Sequence, residues 1–143
     1  MLGITDYETA NSMSRALFQR GLQKQTFDIL PKIREADAAM RPATQDRIVE
    51  AHPEVSFWSL AGEQHLPFAK RKPEGRASRL RLLETVFGAQ IRNAEPPRGA
   101  ARDDLYDACV LAWTASRVAA GSAVHLPPAA QRDERGLRME IVY

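Results

Sequence analysis

The stretch Asp103-Asp104-Leu105-Tyr106-Asp107-Ala108, followed by Leu111-Ala112-Trp113, decides how this chain is read. It opens an otherwise apolar helix, running from about 103 to 120 and stopping at Gly121, with three carboxylates. At helical spacing, Asp104, Ala108, Leu111, Ala115 and Val118 fall on one stripe, and Asp107, one turn before Leu111, borders it. Like charges three or four residues apart cost about 0.2–0.5 kcal/mol per pair in a helix. Burial raises that cost unless a cation or donor answers it. A divalent ion would turn the penalty into a binding site. Asp103 also suits an N-cap, and Asp104 suits the positive end of the helix dipole. That leaves Asp107 as the carboxylate without a local explanation.

Working outward, the helix belongs to a chain of 143 residues, a length that predicts a single domain over 1–143 with one core. Hydrophobic residues at 44% and charged residues at 27% are ordinary for a globular protein. No apolar run reaches the roughly 18 residues of a membrane span. The opening Met1-Leu2-Gly3-Ile4-Thr5-Asp6-Tyr7-Glu8 lacks the basic and apolar regions of a secretory signal. The single cysteine, Cys109, has no internal disulfide partner, which fits a reducing cytoplasm. Beside Ala108 on the acidic helix, it reads as a small packing residue.

Net charge is +2, from 20 basic and 18 acidic residues, and a balance this even does not announce a nucleic-acid partner. The distribution is more telling. Lys70-Arg71-Lys72, Arg76, Arg79 and Arg81 crowd into one short segment, either to hold phosphates or as the solvated face of a helix.

Residues 6–22 have the spacing of an amphipathic helix capped by Thr5 or Asp6. A second helix is expected from Gln23 to Met40, broken or restarted at Pro31, with a turn at Arg41-Pro42-Ala43-Thr44. Arg47-Ile48-Val49-Glu50-Ala51-His52 reads as a strand, stopped by Pro53, which starts a helix carrying Val55, Phe57, Trp58 and Leu60. After a loop from Gly62 to Lys72, Pro73 begins a helix ending at Gly88. Residues 93–100 form a connector. Pro127-Pro128 and Gln131 to Arg135 read as a surface loop, and Leu137 to Tyr143 as an alternating strand. Two clear strands make a marginal sheet beside about five helices.

A second chemical cluster lies in Glu50-Ala51-His52-Pro53-Glu54. In a strand, Ile48, Glu50 and His52 point to one face. A carboxylate at a strand end and carboxylates at a helix start can converge on Mg²⁺, which needs only a few oxygen ligands because it keeps its waters. Two such ions would serve phosphodiester cleavage, with His52 relaying a proton. The plainer alternatives are an edge-strand charge at Glu50, a hydrogen bonder at His52 and a first-turn charge at Glu54. His65 and His125 lack zinc spacing, and there is no glycine-rich phosphate loop or nucleophile elbow.

Ile48 to Trp58, Lys72-Pro73-Glu74-Gly75-Arg76, Asp103 to Ala108 with Leu111-Ala112-Trp113, and Gly136 to Tyr143 together resemble the domain of unknown function 429 family. Its members are described as predicted nucleases of the ribonuclease-H-like fold. Asp104-Leu105-Tyr106-Asp107-Ala108 is also similar to the opening of the last catalytic helix in Holliday-junction resolvases. The resemblance implies a partial ribonuclease-H-like α/β fold, helix-rich with two to three strands. It implies metal-dependent phosphodiester hydrolysis, with Glu50, Asp104 and Asp107 as Mg²⁺ or Mn²⁺ ligands. Lys72 and Arg76 become candidates for nucleic-acid phosphates. That fold begins with a three-stranded meander whose first strand supplies an Asp, and Asp6 does not match it. The expectation is therefore an N-terminally truncated member with impaired activity and an open strand edge near Glu50. Such an edge invites a homodimer. The alternative function is a non-catalytic interaction module or a decayed fragment.

Overall fold

The computed structural model describes residues 3–143. In chain order its elements are α1 (Tyr7–Phe18), α2 (Lys24–Ala39), α3 (Pro53–Leu60), α4 (Pro73–Phe87), α5 (Arg102–Ala119), β1 (His125–Arg132) and β2 (Arg138–Val142). Short 3-10 turns lie at Pro42–Thr44 and Ala89–Asn93. The result is an α/β, helix-rich arrangement with one two-stranded antiparallel sheet among the described residues. The chain forms two compact units, one ending at Gln45 and one from Asp46 to Tyr143.

In the first unit, the Asp6 carboxylate accepts from the Thr9 amide at 2.8 Å and starts α1. The helix stops at Phe18, short of the expected Leu22, because Gln19 turns left-handed at φ 55°. The next residues fold back: Tyr7 Oη donates to the Leu22 carbonyl, and the Leu22 amide donates to Asn11 Oδ1. α2 runs unbroken through Pro31, where the sequence predicts a break. Proline removes one ladder bond, and a helix of 16 residues survives that loss here.

The second unit is built around Phe57, Leu83, Ile91, Tyr106 and Val110. Pro53 sits at the first position of α3, where its missing N–H costs nothing. At the joint between α3 and α5, the Thr114 hydroxyl donates to Ser56 Oγ at 2.8 Å inside the core. Further along the same joint, Arg117 Nη1 donates to Ser59 Oγ at 2.9 Å.

The sheet differs from expectation in one of its two strands. β2 forms where the closing strand is predicted, but its partner is His125–Arg132, the stretch read as a proline loop. The pairing explains how prolines are tolerated. His125 faces Val142 and Leu126 faces Ile141, then Gln131 faces Met139 and Arg132 faces Arg138. Pro127 and Pro128 fall in the irregular interval between, where no ladder donor is demanded. The predicted strand over 47–52 is not a strand. Arg47 lies in a turn and 48–52 has no regular structure, meeting β2 through one backbone bond, from the Val142 amide to the Glu50 carbonyl at 2.8 Å.

Candidate functional site

Asp107 lies in the second turn of α5 with its side chain 17% exposed. Its Oδ2 accepts from Lys70 Nζ at 2.6 Å, while its Oδ1 is buried without a hydrogen-bond partner among the described residues. Glu54, in the first turn of α3, repeats the pattern. Its Oε2 accepts from Arg79 Nη2 at 2.6 Å, and its Oε1 is buried with no partner among the described residues. Buried carboxylate oxygens are normally hydrogen-bonded, so each such atom keeps the capacity to accept a further donor or a cation.

Arg79 anchors the arrangement from α4. Its side chain is 4% exposed and stacks over the Phe57 ring at 5.4 Å. Nη1 donates to the Phe68 carbonyl at 3.2 Å and to the Gly75 carbonyl at 3.1 Å, while Nε has no partner among the described residues. Through Phe68 it holds the loop that carries Lys70. Gly75 allows that loop to approach, since a Cβ there would lie 2.0 Å from the Ala69 carbonyl oxygen. The Lys70 ammonium is held above the ordinary lysine range, first by its hydrogen bond to Asp107. Burial opposes this, and the charges of Asp107, Glu54 and Asp103 reinforce it.

The expected residues divide. Asp107 is where a functional carboxylate is predicted, half-buried and not answered by its own helix. Asp104 is exposed and its Oδ2 accepts from the Ala101 amide at 2.8 Å. It closes the helix start, with Ala101 rather than Asp103 at the N-cap position. The stripe through Asp104, Ala108 and Ala115 is therefore not the buried face. Tyr106, Val110 and Thr114 are buried instead, because an aromatic and a branched side chain cover more apolar area than alanines.

Glu50 and His52 are exposed, and they enter the structure through their carbonyls. Glu50 accepts from Val142, and His52 accepts from the Val55 and Ser56 amides. Lys72 is the exposed residue preceding α4, and Arg76 Nη1 donates to the Arg71 carbonyl at 3.2 Å. Among the described residues no three His, Cys, Asp or Glu side chains gather to hold a metal ion. Glu50, Asp104 and Asp107 thus do not form the expected three-carboxylate set. Sequence reasoning passed over the Glu54–Arg79 and Lys70–Asp107 pairs. The only available signal was the glycine of Lys72-Pro73-Glu74-Gly75-Arg76, which implies a close backbone approach.

Cys109 packs against the core, and burial pushes its thiol above the usual range, the state of an inert packing residue. No described helix is long and apolar enough to cross a membrane.

A family model described as "Protein of unknown function (DUF429)" matches residues 2–132. The chain belongs to this family, and three of the four motifs fall within the matched residues. No curated protein and no solved structure matches it.

Proposed function

We propose that this is a nuclease domain of the ribonuclease-H-like kind, hydrolysing phosphodiesters with Mg²⁺ or Mn²⁺ in a cytoplasmic setting. The observation that carries the reading is the buried, unpartnered Oδ1 of Asp107. Glu54, with its Oε1 unpartnered among the described residues, takes the second place expected of Glu50. Two carboxylates suit Mg²⁺, which is commonly held by one or two of them, with waters and substrate phosphate completing its shell. Asp107 and Glu54 would hold the ion. Once bound, it would supply Lewis acidity and a more acidic water.

The chain's own residues prepare the site. Lys70 and Arg79 each fix one oxygen of a carboxylate, leaving the other oxygen of each available. Lys72 and Arg76, at the start of α4, would meet the phosphates of a nucleic acid beside this centre. Asp104 serves the helix start, and His52 relays no proton in this reading.

The test is calorimetric titration with Mg²⁺ and Mn²⁺ of the chain and of Asp107→Asn, followed by a nuclease assay. Binding that vanishes in the variant supports the reading. Binding that survives it removes Asp107 from the centre.

A second reading, an interaction module that pairs with another copy of itself, is favoured by the irregular 48–52 segment. Its single backbone bond to the sheet leaves an edge on which a strand could add. A metal-indifferent dimer in size-exclusion chromatography would favour this reading.

A further inference from the structure

We propose that the first unit carries a binding site for a free amino acid with an apolar side chain, seated over Pro31 of α2. Every residue of this site lies before Gln45, so it stands or falls apart from the nuclease reading.

The site is a cavity of about 160 Å³. The segment before α1 lines it with Ile4 and Thr5, and α2 lines it with Phe27, Asp28, Leu30, Pro31 and Arg34. Phe27, Pro31 and Arg34 recur at helical spacing and share one face of α2. Apolar cavities of about 150 Å³ take up a ring the size of benzene, so the space suits a side chain such as that of leucine.

The helix has a defect under this cavity. In an α-helix the N–H of residue 31 would donate to the Phe27 carbonyl, and proline has no N–H. α2 nevertheless continues through Pro31. The Phe27 carbonyl therefore lacks its ladder donor on the face that the cavity covers. A backbone carbonyl is a strong acceptor, and an N–H from a ligand would restore what the proline removed.

Charge lies on either side of that carbonyl. Asp28 Oδ1 accepts from Lys24 Nζ at 2.7 Å, which leaves Oδ2 for a second cation. Lys24 itself sits over the Tyr7 and Phe27 rings and does not line the cavity. Arg34 lines the same space less than two turns further along. Its guanidinium carries five donors, enough to serve the chain and a carboxylate together. A zwitterion answers both signs at once. Its ammonium would meet the Phe27 carbonyl and Asp28, its carboxylate would meet Arg34, and its side chain would rest on Ile4, Leu30 and Pro31. A simple amine would leave Arg34 facing a cation, and a fatty acid would leave Asp28 facing an anion.

The experiment titrates leucine into the full chain by calorimetry, beside isopentylamine and 4-methylpentanoate, which lack its carboxylate and its ammonium. Leucine should bind at least about tenfold tighter than either, since each analogue leaves a charged group of the site unanswered. Asp28→Asn keeps the shape of an exposed side chain and should weaken leucine binding about tenfold. Pro31→Ala supplies the missing N–H to the Phe27 carbonyl. It should make α2 more stable and leucine binding about tenfold weaker, a pairing that a damaged fold would not produce. No heat with leucine at millimolar concentration overturns the inference. So does an analogue that binds as tightly as leucine, or unchanged affinity in Asp28→Asn or Pro31→Ala.

Discussion

The two units use the same kind of amphipathic helix to opposite ends. From Asp46 onward, the apolar residues of α3, α4 and α5 meet one another, and Phe57, Leu83 and Val110 are fully buried. Up to Gln45, burial reaches Ala10, Ser14 and Leu30, while Met13, Leu17, Phe18, Ile29 and Ile33 remain exposed. Phe18 is 65% exposed although the helical spacing of α1 is clear. Periodicity says which face of a helix is apolar, and only a second layer makes that face a core. The first unit is instead tied locally, by Asp6, Tyr7, Asn11 and Ser14 bonding to nearby backbone.

The strongest way to break this contrast is Phe57→Ala. Its ring touches core neighbours and supports the buried Arg79 guanidinium, so truncation should cost about 3–5 kcal/mol in denaturant unfolding. A loss below about 1 kcal/mol would mean that the core of the second unit can collapse around the gap. Next comes Thr114→Val, which keeps volume and deletes the hydroxyl that donates to buried Ser56. Leaving Ser56 without that partner should cost about 1–3 kcal/mol. Changing Ser56 to Ala as well should recover part of the loss, because an apolar pair leaves no unmet donor or acceptor.

The same contrast explains what could be read from the sequence. Pro53, Pro73, Gly88 and Gly121 marked helix boundaries correctly, because those residues act through their own backbone. The family could be recognised from four ordered motifs. The rotation of α5 could not, since Asp104 and Asp107 are three residues apart and only tertiary packing chooses between their faces. Tyr106 and Val110 made that choice, sending Asp104 to the helix start and Asp107 to Lys70. β1 was missed because Pro127 and Pro128 argue against a ladder, and the irregular register that accommodates them depends on β2. The Glu54–Arg79 pair spans 25 residues and Lys70–Asp107 spans 37, distances over which one sequence carries no pairing signal.

A smaller effect, confined to the first unit, concerns pH. The Asp6 carboxyl sits below its ordinary range because Thr9 donates to its charged form. Depression of a folded-state carboxyl means that its stabilisation is present above the unfolded value and is lost as pH falls through the folded one. Amide exchange at Thr9 should therefore accelerate on acidification below the ordinary carboxylate range, while amides of the Phe57 core stay protected at that step. Asp6→Asn retains a capping side chain but cannot titrate, so it should remove this local pH dependence. Acceleration that persists in Asp6→Asn would assign the effect to another group.

The smallest effect sharpens the contrast most. Leu17→Gln and Phe18→Ser replace apolar side chains that are 63% and 65% exposed. Hydrophobic stabilisation scales with area removed from water, and these residues remove little. Each substitution should shift unfolding by no more than about 0.5 kcal/mol, against several for Phe57→Ala. A larger loss would show that the outer face of α1 is covered in solution, by self-association or otherwise. Concentration dependence of the midpoint separates these causes, since only association makes stability rise with protein concentration. A midpoint insensitive to concentration, together with a neutral Leu17→Gln, leaves the outer face of α1 facing solvent.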